Sequence, residues 1–293
     1  MKLAVGTAQF GMDYGISNKQ GKTPLDEVRK ILSLAEENGM FFIDTAALYG
    51  ESETVLGAAL SDRHAFNIVT KSPAFKTERI TEAQGFHLKD IFQRSLERLR
   101  QNRLYGLLIH HADDLLAPGG ERLLEEMRNL KGRGLVEKIG VSVYTGAQID
   151  SVLDLFRPDI VQLPINLFDQ RLIESGHLSK LKKLGVEIHA RSIFLQGLLL
   201  MELEQIPAFF SPLREHFARY NRFLKTNRLS RLQVALLFAQ RQKEIDIIIV
   251  GVTRASDLRD IVAATVKPCV PLPDMAAFQV GDEAMITPSL WKL

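Results

Sequence analysis

Four side chains with complementary acid–base chemistry lie at or just after the ends of three successive apolar runs. Asp44 and then Tyr49 follow the run FFI, Lys71 ends NIVTK, and His110 and His111 end GLLIHH. If these runs are neighbouring parallel strands, their carboxyl ends meet at one rim and bring the four groups together. An acid, a phenol, an amine and an imidazole so placed suit the reduction of a carbonyl group.

Each group has a distinct task in that reaction, because the carbonyl oxygen needs a proton while hydride reaches the carbon. A phenol has an ordinary pKa of about 10, and a neighbouring ammonium lowers that pKa and makes the phenol a better acid. We therefore predict Tyr49 as the general acid and Lys71 as the cation that tunes it. Asp44 is then the counter-charge of Lys71, and the His110 imidazole orients the carbonyl by hydrogen bonding.

Short apolar runs followed by amphipathic segments recur along the chain and predict the elements that position these residues. The runs are too continuous for strands with one solvated face, so they indicate strands buried on both faces. Eight such units predict an α/β protein with a (β/α)8 TIM barrel, and an open doubly wound sheet is the alternative. The predicted strands are 3–8, 41–46, 67–72, 106–111, 138–143, 160–165, 187–193 and 246–252, and the clearest helical patterns are 25–39, 88–99, 120–132, 213–226 and 230–241.

We interpret residues 1–293 as a single barrel domain, since α/β barrels of about 250 residues form one unit. A long interval separates the seventh and eighth predicted strands. Its segment at about 200–230 is predicted to cover the substrate, because long excursions after barrel strands usually shape the site. A tail at about 271–293 follows the last predicted helix.

The composition argues against several classes of protein. Hydrophobic residues make up 46% and charged residues 25% of the chain, and the formal net charge is +2, as in ordinary globular proteins. The chain has no basic run interleaved with aromatic residues, so the sequence gives no indication of nucleic-acid or membrane binding. Cys269 is the sole cysteine, and no stretch resembles a signal peptide or a spanning helix. We therefore expect a cytoplasmic protein, without metal ligands at typical spacing and without a pattern that indicates an oligomeric state.

The motifs around the four chemical groups resemble those of a known family. FFIDTAALYGESETVLGAAL resembles the signature of the aldo-keto reductase superfamily, in which a strand-two Asp is followed five residues later by the catalytic Tyr. TKSP at 70–73 resembles its lysine motif, and LLIHHAD at 107–113 resembles its histidine motif, whose first His is catalytic. GTAQFG at 6–11 is similar to its first-strand motif and to those of bacterial sugar-modifying reductases. The resemblance implies a reductase that acts with NADP(H) on a small aldehyde or ketone, with a sugar or sugar derivative preferred.

The resemblance also implies a set of cofactor-binding residues, with departures from the family's pattern. The family holds the nicotinamide carboxamide with a Ser-Asn pair after strand five and a Gln on strand six, whereas Val143 here replaces the Asn. Arg191 stands where an aromatic side chain often stacks on the nicotinamide. The residues implied to bind the cofactor are Thr7, Ser142, Gln162, Arg191, Ser192, Gly197, Leu198, Gly251, Thr253, Arg254 and Asp257.

The segment VGVTRASDLRDI at 250–261 resembles the part of the family that binds the adenosine. Arg254 would hold the 2′-phosphate of NADP(H) at the N-terminus of a helix. Asp257 replaces the usual Gln or Arg, and Ile261 replaces the usual Asn. A carboxylate there opposes a phosphate, so NADP(H) is the predicted cofactor and NAD(H) is the alternative.

Two other functions use the same fold. A barrel that binds the cofactor as a sensor or regulatory subunit has no need of a general acid, so the complete catalytic set argues against it. A lyase or isomerase barrel would use Lys71 as a Schiff-base nucleophile, which a desolvated lysine can be.

Overall fold

The computed structural model describes residues 2–61, 64–265 and 275–291. Its strands are parallel and pair in chain order, and the last strand pairs with the first, so the sheet closes into a barrel. The predicted (β/α)8 barrel is confirmed, and the open sheet is excluded. The strands are β1 (Leu3–Gly6), β2 (Phe42–Asp44), β3 (Asn67–Lys71), β4 (Leu104–Ile109), β5 (Val136–Ser142), β6 (Ile160–Pro164), β7 (Glu187–Arg191) and β8 (Ile247–Gly251).

Each predicted strand is present, and most end earlier than the apolar run that predicted them. β1 ends at Gly6 because Thr7 is the N-cap of a short helix that begins at Ala8. The backbone N–H of Thr7 still donates to the carbonyl of Asp44 at 3.0 Å. β4 stops at Ile109, so His110 and His111 belong to the loop that follows. Several polar residues therefore lie just beyond the carboxyl ends of the strands, at the mouth of the barrel.

Helices connect the strands and pack around the barrel. The stripe Val28, Ile31, Leu32 and Ala35 of the second helix is buried, as its spacing predicts. The helix predicted at 88–99 begins earlier, at Glu82, where Thr81 and Gln84 form a capping box. The α-helices are α1 (Ala8–Gly11), α2 (Leu25–Glu37), α3 (Ser52–Ala59), α4 (Glu82–Leu99), α5 (Ala112–Leu116), α6 (Glu121–Gly132), α7 (Gly146–Leu155), α8 (Arg171–Glu174), α9 (His177–Lys183), α10 (Arg214–Asn227), α11 (Arg231–Arg241), α12 (Ala255–Ala264) and α13 (Glu283–Ile286), with 3-10 turns at Leu195–Leu200, Leu203–Gln205, Ala208–Leu213, Ala276–Phe278 and Pro288–Leu290.

The hydrophobic core has an outer and an inner part, because successive side chains of a strand point to opposite faces. The outer part lies between the strands and the helices and is continuous around the barrel. Two small clusters fill the inside, formed by Ala4, Ile247 and Ile249 and by Val69, Leu108 and Ile160. Within the described ranges, no helix combines the length and the apolar content needed to cross a bilayer.

The long interval after β7 and the C-terminal tail pack against each other. Phe210 is buried, and its ring meets Trp291 edge to face with centroids 4.9 Å apart. The tail also returns to the barrel, since the backbone N–H of Val280 donates to the carbonyl of Phe168 at 2.9 Å. Cys269 and the start of the predicted tail, 271–274, lie outside the described residues.

Candidate active site

A cavity of about 700 Å³ opens at the carboxyl ends of the strands. Most residues that the sequence interpretation assigned to catalysis or cofactor binding share it, although they come from all parts of the chain. Those that line the cavity are Thr7, Asp44, Tyr49, His110, Ser142, Gln162, Arg191, Ser192, Gly197, Gly251, Thr253 and Asp257.

The remaining assigned residues do not border the cavity. Lys71 is 1% exposed and lies behind Asp44. Leu198 is fully buried in the core. Arg254 is exposed, and its Nε donates to the Gln20 side chain at 2.5 Å. Each of the three can thus act on a bound molecule only through a neighbour or after a change of side-chain conformation.

The Lys71 ammonium and the Asp44 carboxylate form a buried ion pair beneath the cavity. The Lys71 Nζ donates to both Asp44 carboxylate oxygens at 2.8 Å and to the carbonyl of Thr45 at 2.9 Å. Three acceptors around one nitrogen suit the three N–H donors of an ammonium, and the Asp44 carboxylate favours that charged form, whereas burial lowers the pKa of Lys71. The Gln162 amide adds a fourth contact, since its Nε2 donates to the Asp44 Oδ1 at 2.7 Å.

The Tyr49 ring lies over this pair, and its loop is held by close contact with the loop after β1. The Lys71 Nζ is 5.0 Å from the centroid of the Tyr49 ring, so the two side chains face each other as expected. The carbonyl of Gly11 accepts the backbone N–H of Glu51, two residues after Tyr49 in the chain, at 3.3 Å. A Cβ on Gly11 would stand 1.8 Å from the Tyr49 carbonyl oxygen, so only glycine lets the two loops approach this closely.

The electrostatics of Tyr49 differ from the sequence expectation. Burial raises the pKa of the Tyr49 phenol above its ordinary value, the Asp44 carboxylate raises it further, and the Arg191 guanidinium opposes both. The expected lowering by Lys71 is not found, because the ammonium is neutralised at contact distance by Asp44. Tyr49 is therefore protonated at neutral pH and can act as a proton donor.

His110 is neutral and has an unused ring nitrogen. Burial first, then the positive charge of Lys71, lowers the pKa of His110 to about 2. The ring stands edge-on to Tyr49 with centroids 5.8 Å apart, and it stacks on His111 at 4.9 Å. Its Nδ1 is buried without a hydrogen-bond partner among the described residues, while the backbone N–H donates to Ser72 Oγ at 3.0 Å. A neutral imidazole so placed can form a hydrogen bond to a carbonyl oxygen.

The Gln162 side chain offers a free acceptor next to the catalytic groups. Its Nε2 is used by Asp44, but its buried Oε1 has no partner in the described part of the chain. An amide donor such as a carboxamide NH₂ fits such an acceptor, because an unpaired buried oxygen costs free energy. Asn166 does not offer a similar group, since its Oδ1 accepts the backbone N–H groups of Phe168 and Asp169.

Arg191 brings a half-buried positive charge to the cavity wall. Its guanidinium carbon lies 4.2 Å from the centroid of the Tyr144 ring, a cation–π distance. The two terminal nitrogens donate to Ser192 Oγ and to the carbonyl of Val143, both at 3.2 Å. The guanidinium is therefore held over an aromatic ring of this chain.

Comparison with known proteins places the chain in a family. The chain matches the Aldo/keto reductase family over residues 2–275. The chain belongs to this family. The chain is also similar to two curated relatives. The D-arabinose 1-dehydrogenase of Saccharomyces cerevisiae is 29% identical over 48% of this chain and 42% of the relative. The aldo-keto reductase AKR2E4 of Bombyx mori is 30% identical over 58% of this chain and 57% of the relative. The chain spans about half the length of the curated relatives it matches.

Solved structures share the fold over nearly the whole chain. The holo form of the aldo-keto reductase AKR11C1 from Bacillus halodurans superimposes with a TM-score of 0.76 at 18% identity, covering 94% of this chain and 90% of that one. The glycerol dehydrogenase AKR11B4 from Gluconobacter oxydans gives 0.72 at 20% identity, covering 98% and 92%. At these identities the likeness establishes the barrel fold.

Several residues that line the cavity were not assigned from the sequence. Tyr144 lies two residues after β5, so its place close to a strand end was a usable signal. Leu232 of α11 and Pro288 of the tail lie far away in the chain, and no local pattern marks them. Of the segment at about 200–230, predicted to cover the substrate, Leu200 is the residue that borders the cavity.

Proposed function

We propose that this protein is an oxidoreductase that reduces an aldehyde or ketone to an alcohol with a nicotinamide dinucleotide. The observation that carries the proposal is the meeting of the Tyr49 hydroxyl and the neutral His110 in one cavity, above the buried pair of Lys71 and Asp44. The free Gln162 oxygen beside them supports a carboxamide-bearing cofactor. Family membership supports the same class of reaction.

Tyr49 and His110 divide the work at the carbonyl oxygen. The bound reduced nicotinamide supplies the hydride that reaches the carbonyl carbon. Tyr49 gives its proton to the oxygen and becomes a phenolate, and His110 holds that oxygen by a hydrogen bond. The Arg191 guanidinium, whose charge lowers the pKa of Tyr49, favours this phenolate until solvent returns a proton, whereas the charge of Lys71 is neutralised by Asp44. For alcohol oxidation the phenolate would act as the base.

The residues that would hold the cofactor line the rest of the cavity. Ser142 and Gln162 suit the carboxamide, and the Ser192–Leu198 loop with Gly197 suits the pyrophosphate. A Cβ on Gly197 would stand 1.8 Å from Ser17 Oγ, so this loop crosses the loop after β1 in close contact. Gly251 and Thr253 lead to the adenosine end, where the sequence favours NADP(H) through Arg254 and leaves NAD(H) as the alternative.

A sugar or sugar derivative is the proposed substrate class. The cavity is lined near Tyr49 by further polar groups, those of Tyr14, His111 and Gln196, which can bond hydroxyl groups. Two similar proteins carry names that specify polyhydroxylated compounds, arabinose and glycerol. We place this reaction in the cytoplasm, as expected from the single cysteine.

The geometry argues against the Schiff-base alternative. The Lys71 Nζ is enclosed by Asp44 and Thr45 and does not border the cavity. A nucleophilic amine must be free of its proton and accessible to a carbonyl carbon. Borohydride with a carbonyl substrate should therefore leave Lys71 unmodified, and a covalent adduct found there by mass spectrometry would overturn the catalytic roles.

The substitution Tyr49→Phe tests the proposed acid. We expect turnover of carbonyl substrates to fall by about 10²–10⁴-fold, the contribution of general acid catalysis, with cofactor affinity within about twofold of wild type. Tyr220→Phe is the control, because the Tyr220 hydroxyl is buried without a partner and lies outside the cavity. The assay follows reduced-nicotinamide absorbance across aldehydes, ketones and keto-sugars, with binding measured by fluorescence.

Two outcomes of this screen would contradict the proposal. Wild-type activity in Tyr49→Phe would remove Tyr49 as the acid. A wild-type protein that binds the cofactor but turns over none of the carbonyls would favour the sensor or regulatory subunit instead.

A further inference from the structure

The cavity meets the N-terminus of α12 through a wall of acidic rather than basic side chains. Asp257 and Asp260 line it there, together with Thr253 and Ile261. Among the described residues that line the cavity, Arg191 is the one Lys or Arg, and it belongs to the catalytic end beside Tyr144. A phosphate at the α12 end would therefore face negative charge within the cavity wall.

The Asp257 carboxylate accepts hydrogen bonds from two backbone N–H groups beside this helix N-terminus that could otherwise bind an anion. One of its carboxylate oxygens accepts the backbone N–H of Arg254 at 2.9 Å, the backbone N–H of Thr253 at 3.1 Å and the Thr253 hydroxyl at 3.0 Å. Free N–H groups are what make a helix N-terminus bind phosphate. Just before α12, the N–H groups of Thr253 and Arg254 are satisfied by a carboxylate of the helix itself.

A second carboxylate, from α2, completes this arrangement. The Glu27 side chain accepts the backbone N–H of Ala255, the first residue of α12, at 2.8 Å. This hydrogen bond, followed by the one from Lys30, holds the pKa of Glu27 below its ordinary value, so the group is ionised. Two negative charges therefore compensate the positive end of the α12 dipole before any ligand binds.

The cation predicted to hold a 2′-phosphate is directed elsewhere. Arg254 is exposed and does not border the cavity. Its Nε donates to the side chain of Gln20, in the loop after β1, at 2.5 Å. The guanidinium thus ties two surface segments together instead of facing the cavity.

From these contacts we propose that the adenosine end of the cavity accepts an unphosphorylated ribose, so that the protein binds NAD(H) in preference to NADP(H). The inference rests on the proposed function, since it concerns the cofactor of that reaction. A phosphate monoester carries a charge of about −1.5 to −2 at neutral pH and is repelled by Asp257 and Glu27. A ribose hydroxyl is a neutral donor that the remaining lone pairs of the Asp257 carboxylate can accept, as acidic residues do in dinucleotide-binding folds.

Direct binding of the two reduced cofactors tests the preference without reference to any substrate. Titration of the full-length protein with NADH and with NADPH, followed by nicotinamide fluorescence, gives two dissociation constants. We expect the constant for NADPH to exceed that for NADH by at least about tenfold, and this ratio to shrink as salt screens the repulsion.

The substitution Asp257→Asn locates the cause of the preference. Asparagine keeps an oxygen that can accept the N–H groups of Thr253 and Arg254 but removes the charge, so NADPH should bind at least about fivefold more tightly while NADH changes little. Asp282→Asn is the matched control, because Asp282 caps α13 by accepting the Ala284 N–H at 3.0 Å and does not border the cavity. Glu27→Gln is a second variant, in α2, which also removes a negative charge beside the α12 N-terminus. It should lower the ratio of the NADPH dissociation constant to the NADH dissociation constant in the same way. Arg254→Ala tests the alternative in which the guanidinium leaves Gln20 and holds the 2′-phosphate, since that contact would make NADPH binding depend on Arg254.

The outcomes separate this inference from the proposed function. NADPH binding as tight as or tighter than NADH in the wild type, or NADPH binding that depends on Arg254, would overturn the inference and leave the reductase proposal intact. Binding of neither cofactor would overturn both.

Discussion

Replacing Lys71 with methionine removes a buried cation while it keeps a side chain of similar length. The structure sets the size of the effect, because the Lys71 Nζ makes three hydrogen bonds to Asp44 and Thr45 and the pair is almost wholly buried. The Asp44 carboxylate would be left with the Gln162 amide as its remaining side-chain donor among the described contacts. Breaking such a buried pair costs about 3–5 kcal/mol of unfolding free energy.

The double variant with Asp44→Asn distinguishes this explanation from simple loss of packing. With both charges removed, the amide of Asn at this position can still accept the Gln162 N–H, and no uncompensated charge remains in the core. We expect the double variant to lose less stability than the sum of the two single variants, with a coupling energy of about 2–4 kcal/mol.

Urea unfolding followed by circular dichroism measures all four members of this cycle. The control is Arg94→Met, which breaks an exposed pair with Asp90 in α4 and should cost less than about 1 kcal/mol. Two results would refute the view that Lys71 and Asp44 act as a buried ion pair. One is that each single variant loses less than about 1 kcal/mol of unfolding free energy. The other is that the loss in the double variant equals the sum of the losses in the single variants.

Two further predictions concern the loops and the imidazole. Gly11→Ala should lower turnover by about tenfold or more, because its Cβ would stand 1.8 Å from the Tyr49 carbonyl oxygen and shift the acid. Gly132→Ala is the control, since a Cβ there meets nothing within 4 Å; equal turnover in both variants would contradict the prediction. Burial lowers the pKa of His110 to about 2, so below about pH 6.5 the unfolded chain binds a proton that the folded protein does not. The free energy of unfolding therefore falls as pH falls, by about 1.4 kcal/mol per pH unit from this residue. The plot of unfolding free energy against pH across about pH 5–7 should have a shallower slope for His110→Gln than for the wild type. An unchanged slope would argue that His110 is not buried and neutral.

Much of the candidate site can be predicted from the sequence because its parts are close in the chain or linked by strand order. Asp44 ends β2 and Tyr49 lies in the loop that follows it, so the two residues are close in the chain. Lys71 is the last residue of the next strand and His110 follows the strand after it, and parallel pairing of neighbouring strands brings their carboxyl ends to one rim. Apolar periodicity reports which segments are buried, and that was enough to place eight strands and the principal helices.

The charge states and the binding preference depend on contacts between distant segments, which periodicity does not encode. The Tyr49 pKa rises because folding buries the phenol and lets Asp44 neutralise Lys71. The α12 N-terminus is capped by a carboxylate from α2, and Arg254 is drawn away by Gln20, more than two hundred residues earlier in the chain. The residue types therefore predict the class of reaction from the sequence. The protonation state of each group, and the cofactor preference that we infer, depend on burial and on contacts between distant segments, which only the tertiary structure supplies.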